Sequence, residues 1–160
     1  MCKNIGVITA THDDATEAHI EEAVGFGATI SEFPTTVVAA SAAMKAVMST
    51  IMGAPNVVRG RSHSGNVSAT DLAQKRLLNA LSSDYVPSSL LYGAFLLSDK
   101  QGFSLPDAIA TVTSNPAKMA NFDDRGEIKI GLRADLIQVK RCTDGTPVVR
   151  KTFKLGKRVA

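Results

Sequence analysis

The sequence has 160 residues, of which 44% are hydrophobic and 21% are charged, and this balance predicts a globular core and excludes a disordered chain. The net charge of +3 is mildly basic, which favours an anionic ligand only where charges converge and does not indicate nucleic acid. Cys2 and Cys142 lack metal-type spacing, and no apolar run reaches the ~20 residues that span a bilayer, so we expect two free thiols in a cytoplasmic protein without a membrane partner.

Strand–helix units alternate through the first half of the chain. The predicted strands cover residues 5–11, 28–33, 47–52 and 79–83. Thr16 and Thr35–Thr36 are predicted N-caps of the helices after the first two strands, and Gly25 and Gly27 are predicted to end the first helix. Residues 53–67 are predicted to form a long loop rich in Gly, Asn and Ser. Consecutive strand–helix units predict a parallel sheet with helical crossovers.

Further helices are predicted beyond the long loop, and a change of pattern follows them. Ser68 and Asp71 have the spacing of a capping box, which opens a helix predicted to carry Leu72, Leu77 and Leu78. A helix through residues 90–97 and another that begins with the cap Ser104 complete this part. Residues 126–140 and 146–159 alternate in the manner of strands, with glycines between them, which predicts a small separate β element.

Polar side chains stand at the ends of three predicted strands. His12, followed by two aspartates, ends the first strand, Glu32 ends the second and Asp84 follows the fourth. Because parallel strands deliver their carboxyl ends to one edge, these groups are expected to converge there as a candidate site. Asp84 suits a general base that takes a proton from an activated water. A helix cap or surface role for His12, a turn cap for Asp84 and a plain strand end for Glu32 remain open alternatives.

The long loop carries candidate groups for binding an anion. Arginine forks match phosphate oxygens, and small polar side chains add hydrogen-bonding groups. The candidate substrate-binding residues are Asn56, Arg59, Arg61, His63, Ser64 and Asn66. A solvated, flexible loop is the alternative, and the stretch matches no Walker-type phosphate motif. His19, within a predicted helix among glutamates, is interpreted as a solvent-exposed helix residue.

Several stretches, taken together and in order, resemble a known family. They are Thr-His-Asp-Asp-Ala-Thr (11–16), Glu-Phe-Pro-Thr-Thr (32–36), Met-Gly-Ala-Pro-Asn-Val-Val-Arg-Gly (52–60), Ser-His-Ser-Gly-Asn-Val-Ser-Ala (62–69) and Leu-Ser-Ser-Asp-Tyr-Val-Pro (81–87). These resemble the diphosphatases of phosphonate metabolism, the PhnM family of the amidohydrolase superfamily. The segment 113–137 is similar to the passage from barrel to β-sandwich in that superfamily.

The resemblance implies an α/β fold: the C-terminal half of a (β/α)₈ barrel over residues 1–120, with residues 121–160 contributing strands to a small β-sandwich. It implies a divalent metal, with Zn, Mn, Fe and Ni not distinguished. His12 and Asp84 would be metal ligands, Glu32 a further candidate, and Asp84 also the catalytic proton acceptor. The implied substrate is a phosphorylated ribose phosphonate, α-D-ribose 1-methylphosphonate 5-triphosphate, from which pyrophosphate is released.

The sequence departs from the family pattern in its first half. Its three histidines include no His-x-His pair, and its first strand corresponds to the fifth of the family barrel. We therefore expect a fragment with little activity alone, partnered by the missing N-terminal half or by self-association. Two other interpretations remain: a different amidohydrolase acting on C–N bonds, such as a deaminase, deacetylase or dihydroorotase-like enzyme, or a non-catalytic remnant that serves as a binding or assembly subunit.

Overall fold

The chain forms two separate β-sheets with helices on one of them. A computed structural model describes residues 6–62 and 64–160. The strands are β1 (Ala10–His12), β2 (Ile30–Glu32), β3 (Ser49–Gly53), β4 (Ala80–Ser82), β5 (Leu136–Arg141), β6 (Pro147–Lys154) and β7 (Lys157–Arg158). The helices are α1 (Glu17–Phe26), α2 (Val37–Lys45), α3 (Ala54–Arg59), α4 (Ala69–Gln74), α5 (Ser89–Lys100), α6 (Leu105–Ala110) and α7 (Ser114–Met119).

Strands β1 to β4 form a parallel sheet in chain order, and β5 to β7 form an antiparallel sheet. Sequential order in a parallel sheet requires a crossover after every strand, and α1, α2 and the α3–α4 pair provide the three crossovers. The α/β class and the four parallel strands that the sequence predicts are confirmed, but the first strand was predicted over residues 5–11 and begins only at Ala10 within the described residues. No helix in the described part of the chain is both long and apolar enough to cross a bilayer.

Short-range capping signals explain where most helices begin. The Thr16 and Thr36 hydroxyls accept hydrogen bonds from the third residues of α1 and α2, and Ser68 forms the predicted capping box with Asp71. Gly27 ends α1 in the left-handed conformation, as predicted, with φ of 84°. Each of these N-caps satisfies one of the first free N–H groups of its helix and so fixes where that helix begins.

The long loop predicted over residues 53–67 is wrong in its first half, because residues 54–59 form helix α3. Pro55 occupies the first turn, where its missing N–H costs nothing, and Gly60 closes the helix in the left-handed conformation with φ of 72°. Ala54 packs against Gly93 of α5: a Cβ built on Gly93 would meet the Ala54 methyl at 3.2 Å. This close contact between α3 and α5 provides the tertiary support that a six-residue helix needs.

Two further element predictions need correction. Helix α4 ends at Gln74, so Leu77 and Leu78 lie beyond it, because Arg76 adopts a left-handed φ of 58°. Residues 126–135 form bends, one turn and irregular chain rather than the start of a strand, and β5 begins only at Leu136. A helix, α7, also forms across Pro116, where the sequence was interpreted only as a change of pattern.

The hydrophobic core lies between the parallel sheet and its helices. Its larger cluster joins β3 and β4 to α3, α4, α5 and α6, and includes the fully buried Leu72 and Leu97. A smaller cluster around Ile20 and Met48 holds α1 and α2 together. Cys142 is an exposed free thiol on the other sheet, whereas Cys2 lies outside the described residues.

Candidate active site

The parallel sheet has one covered face and one open face. Ser31 and Thr50 are in register and fully buried, so their side chains lie on the helix-covered face. Side chains alternate along a strand, which places the next row on the opposite, open face. That row consists of His12, Glu32, Ile51 and Ala80, in register across all four strands, and it is open at the β1 and β2 end but buried at Ala80, which is 1% exposed. His12 and Glu32 are therefore direct neighbours on the open face, at the carboxyl ends of β1 and β2.

The chain bends sharply as it leaves β1. Asp13 follows His12 with a φ of 62°, and its N–H donates to the carbonyl of Glu32. The bend brings an oxygen of the Asp13 carboxylate to 3.0 Å from Nδ1 of His12. Phe33 packs edge-on against the His12 ring with 5.1 Å between ring centroids. The imidazole is held by these two neighbours while remaining 56% exposed.

Asp14 has a different role from its neighbour. It is 4% exposed, and its Oδ2 accepts hydrogen bonds of 2.6 Å from both the Thr11 and the Ser31 hydroxyls. Its carbonyl accepts from the N–H of Thr35, ahead of α2. Asp14 therefore joins β1, β2 and the entry to α2, and its contacts are structural. The sequence interpretation assigned no role of this kind to Asp14.

A pocket opens beside the ends of β3 and β4. Most of its polar lining consists of residues that the sequence singles out as candidate site residues, together with Asp13 and Tyr85, which the sequence interpretation did not assign. The lining residues are Asp13, Phe33, Pro34, Met52, Gly53, Asn56, Arg59, Arg61, Ser62, Ser64, Asn66, Val67, Asp84 and Tyr85. His12 and Glu32 do not line this pocket, and His63 lies outside the described residues.

Asp84 occupies the turn that follows β4. Its φ of 48° is left-handed, a conformation in which Asp is tolerated better than most residues. The carboxylate lies over the Cα of Gly53, close enough that a Cβ built there would stand 2.8 Å from Oδ2. Gly53 ends β3 and pairs with Ser82 of β4, so the two strand ends set this approach together. The carboxylate thereby enters the pocket at a fixed place.

The other wall of the pocket comes from α3 and the segment after it. Arg59 lies in the last turn of α3, and its Nη1 donates to the Tyr85 hydroxyl at 3.2 Å. The Asn56 side-chain oxygen accepts from the N–H of Ala69 at 3.0 Å, which ties α3 to the first residue of α4. The Asn56 side-chain oxygen thus stabilises the packing of α3 against α4, although the residue also lines the pocket.

Uncompensated charges of both signs meet in this pocket. Arg125 and Arg141 each form an ion pair with an aspartate, at 2.7 Å and 2.6 Å respectively. Within residues 6–62 and 64–160, neither Arg59 nor Arg61 has a carboxylate within ion-pair distance, and neither does Asp84 have a cation. A partly enclosed site with unpaired guanidinium groups is suited to a ligand that brings its own negative charge.

The fit of these residues to a divalent metal is incomplete. The donor types are suitable, since imidazole and carboxylate groups bind Zn, Mn, Fe and Ni. However, the part of the chain that the structure describes contains no group of three or more His, Cys, Asp or Glu side chains close enough to hold an ion. A catalytic metal usually takes three protein ligands and a water. The described residues therefore do not form a complete metal site.

The parallel sheet with its helices presents candidate site residues at the carboxyl ends of its strands, and a separate antiparallel sheet follows it in the chain. A model of the amidohydrolase family matches residues 5–159, and the chain belongs to this family. The α-D-ribose 1-methylphosphonate 5-triphosphate diphosphatase of Escherichia coli (strain K12) is 50% identical to it over 161 residues. That match covers 99% of this chain and 42% of the relative, so the chain spans less than half of the relative's length.

Solved structures of the family share the fold at low sequence identity. N-acetylglucosamine-6-phosphate deacetylase from Pasteurella multocida superposes with a TM-score of 0.73 and 14% identity, over 99% of this chain and 52% of that one. An amidohydrolase from Thermotoga maritima superposes with a TM-score of 0.72 and 20% identity, over 97% of this chain and 44% of that one. These likenesses establish that the α/β architecture predicted from the sequence is that of an amidohydrolase barrel.

Proposed function

We propose that this chain is the C-terminal part of a metal-dependent hydrolase that removes pyrophosphate from α-D-ribose 1-methylphosphonate 5-triphosphate. The observation that carries the proposal is the pocket that Asp84 lines together with Arg59 and Arg61, two arginines that have no carboxylate within ion-pair distance in the described part of the chain. A triphosphate would supply the negatively charged partner for these two guanidinium groups. The 50% identity to the Escherichia coli diphosphatase supports the same substrate.

The residues divide into two roles in this proposal. Asp84 would accept the proton of the water that attacks the phosphorus next to the leaving pyrophosphate, because its carboxylate is held in the pocket. Arg59 and Arg61 would bind the non-bridging oxygens of the departing diphosphate and stabilise its growing charge. Ser64 and Asn66, at the same wall, would add hydrogen bonds to those oxygens. His63, outside the described residues, belongs to the same segment and is proposed as a further substrate contact.

A bound divalent metal would polarise the phosphoryl oxygens and lower the pKa of water. His12 and Asp84 are the proposed ligands from this chain, with Glu32 beside His12 as a third candidate. Because the described residues bring no three such side chains close together, the remaining ligands would come from residues outside those described. We therefore propose that the site is completed by another protein segment, either the N-terminal half of the barrel or a second copy of the chain.

Complementation tests this proposal. The chain is mixed with a polypeptide covering the part of the Escherichia coli relative that lies outside the match, and pyrophosphate release from the ribose triphosphate is measured with Zn, Mn, Fe or Ni added. We expect metal-dependent release by the mixture and little by either part alone. Asp84→Asn in the same mixture should abolish release. A mixture that assembles, binds metal and yet releases no pyrophosphate would reject the proposed reaction.

Hydrolysis of a C–N bond is the competing assignment within the family. The structurally similar deacetylase is named for a phosphorylated substrate, N-acetylglucosamine 6-phosphate. A pocket that binds phosphate therefore does not distinguish pyrophosphate release from deacetylation. Parallel assays with an N-acetylated sugar phosphate separate them, because only a deacetylase would release acetate. If the same mixture releases acetate and no pyrophosphate, the proposed function becomes deacetylation.

A further inference from the structure

We infer that Tyr85 is a positioning residue that holds the Arg59 guanidinium where the pyrophosphate end of the substrate binds. The inference rests on the proposed function and extends it to a side chain outside the candidate site that the sequence predicts. Tyr85 immediately follows Asp84 and lines the same pocket. Its hydroxyl accepts a hydrogen bond of 3.2 Å from Nη1 of Arg59.

The backbone that carries Arg59 is already fixed from two sides. Gly60 ends α3 in the left-handed conformation, and its N–H donates to the carbonyls of Asn56 and Val57. At the other end of α3, Ala54 is in close contact with Gly93 of α5. The remaining freedom of Arg59 lies in its long side chain, and immobilising such a side chain on binding is costly. A partner for the guanidinium in the free protein reduces that cost.

The chemistry of the partner preserves the charge that the ligand needs. A carboxylate at this place would neutralise Arg59 and compete with phosphate, whereas the phenol hydroxyl is a neutral acceptor. The hydrogen bond to Tyr85 uses one of the five N–H donors of the guanidinium. The residue is therefore oriented but still cationic. Arg61, two residues later in the same pocket, has no hydrogen-bonding side-chain partner within the described residues.

The position of Tyr85 in the chain links the two halves of the proposed chemistry. The turn after β4 presents the Asp84 carboxylate and, one residue later, the hydroxyl that binds Arg59. A single turn thus sets the spacing between the group proposed to accept a proton and the group proposed to bind the leaving diphosphate. A phenylalanine at position 85 would keep the ring and remove the hydroxyl that accepts the hydrogen bond from Arg59.

Calorimetric titration of the 160-residue chain with inorganic pyrophosphate tests the inference. The variants are Tyr85→Phe, Arg59→Ala, both together, and Tyr92→Phe as the matched control, since Tyr92 lies on α5 away from the pocket lining. We expect Tyr85→Phe to weaken binding about 3- to 10-fold, the effect of freeing one long side chain. Arg59→Ala should weaken it more, and adding Tyr85→Phe to Arg59→Ala should change nothing further. Tyr92→Phe should bind as the wild type does.

The outcomes separate the inference from the proposed function. Unchanged binding by Tyr85→Phe, with weaker binding by Arg59→Ala, would overturn the positioning role and leave the diphosphatase proposal standing. A further loss on adding Tyr85→Phe to Arg59→Ala would also overturn it, because Tyr85 would then contact the ligand directly. If the wild-type chain binds no pyrophosphate, the pocket is not an anion site, and both the positioning role of Tyr85 and the diphosphatase proposal lose their support. Melting temperatures of all variants identify any loss that is due to unfolding.

Discussion

Gly53 and Asp84 stand in direct contact at the ends of neighbouring strands, with the Asp84 carboxylate resting over the Cα of Gly53. A Cβ at Gly53 would lie 2.8 Å from Oδ2 and 3.3 Å from the Cβ of Asp84. The φ of Gly53 is −67°, which any residue adopts, so glycine is required here by the close approach and not by backbone conformation. The Asp84 carboxylate, the candidate general base, can thus occupy its place in the pocket because residue 53 has no side chain.

Gly53→Ala is therefore expected to displace the Asp84 carboxylate while leaving the fold intact. The added methyl meets the end of a side chain that can rotate away, so the melting temperature should change little. A misplacement of about 1 Å costs on the order of 100-fold in rate, and pyrophosphate release in the complementation assay should fall by about that factor. Gly25→Ala is the control, because a Cβ there meets no atom within 4 Å. Full activity of Gly53→Ala would show that the Asp84 position is not critical.

The elements that the sequence predicts correctly depend on interactions only a few residues apart. Thr16, Thr36 and the Ser68–Asp71 box identify helix starts because the capping hydroxyl and the N–H that it binds lie within one turn. Parallel strand order also underlies the predicted convergence of His12, Glu32 and Asp84, of which only Asp84 lines the pocket with the arginines. Local signals and one topological rule are sufficient for this part of the fold.

The features that the sequence does not predict depend on contacts across the chain. Helix α3 carries its own start and stop signals in Pro55 and Gly60, but these are outweighed by a composition typical of loops. The helix is stabilised by the contact of Ala54 with Gly93, a residue about forty positions later in the sequence. Tyr85 is similar: its pairing with Arg59 exists only once α3 and the turn after β4 are adjacent. No local pattern reports such contacts.

Asp14 provides a test of stability that is independent of catalysis. Asp14→Ala would leave the Thr11 and Ser31 hydroxyls without the oxygen that they share, in a site that is nearly inaccessible to water. A buried unsatisfied polar group costs about 1–3 kcal/mol, so we expect a loss of about 2–5 kcal/mol in the free energy of unfolding. Urea unfolding measures it. The control Asp123→Ala removes an exposed carboxylate and should change stability by less than about 0.5 kcal/mol. Equal losses in the two variants would disprove the role of Asp14 as a buried link.

Asp135 predicts how the stability of the antiparallel sheet depends on pH. The N–H of Leu155 donates to its carboxylate at 2.8 Å, and this hydrogen bond is the largest cause of a pKa below the usual 3.8. Desolvation opposes the shift, and the Arg133 cation lowers the pKa further. A lowered folded-state pKa means that the stabilisation is present at neutral pH and is lost as the pH falls from 3.8 through the folded pKa. Asp135→Asn should therefore lower the melting temperature at neutral pH, and the difference from wild type should shrink in acid. Asp123→Asn, the same replacement at an exposed aspartate, is the control for the substitution itself. A difference between Asp135→Asn and wild type that persists in acid would contradict the assignment.

Gly126 joins the second sheet to the barrel helices through a contact that admits no side chain. Its φ is 99°, and a Cβ there would lie 2.9 Å from the Cα of Ser114 and 3.0 Å from the Cβ of Ala117, both in α7. Gly126→Ala must therefore move backbone and also strain the turn, and we expect it to lower the free energy of unfolding by more than about 1 kcal/mol. Gly131→Ala separates the two causes: its φ of 90° is just as unfavourable for alanine, but a Cβ there meets nothing within 4 Å. In urea titrations, the excess loss in Gly126→Ala over Gly131→Ala measures the contact with α7, and equal losses would mean that conformation alone explains the glycine.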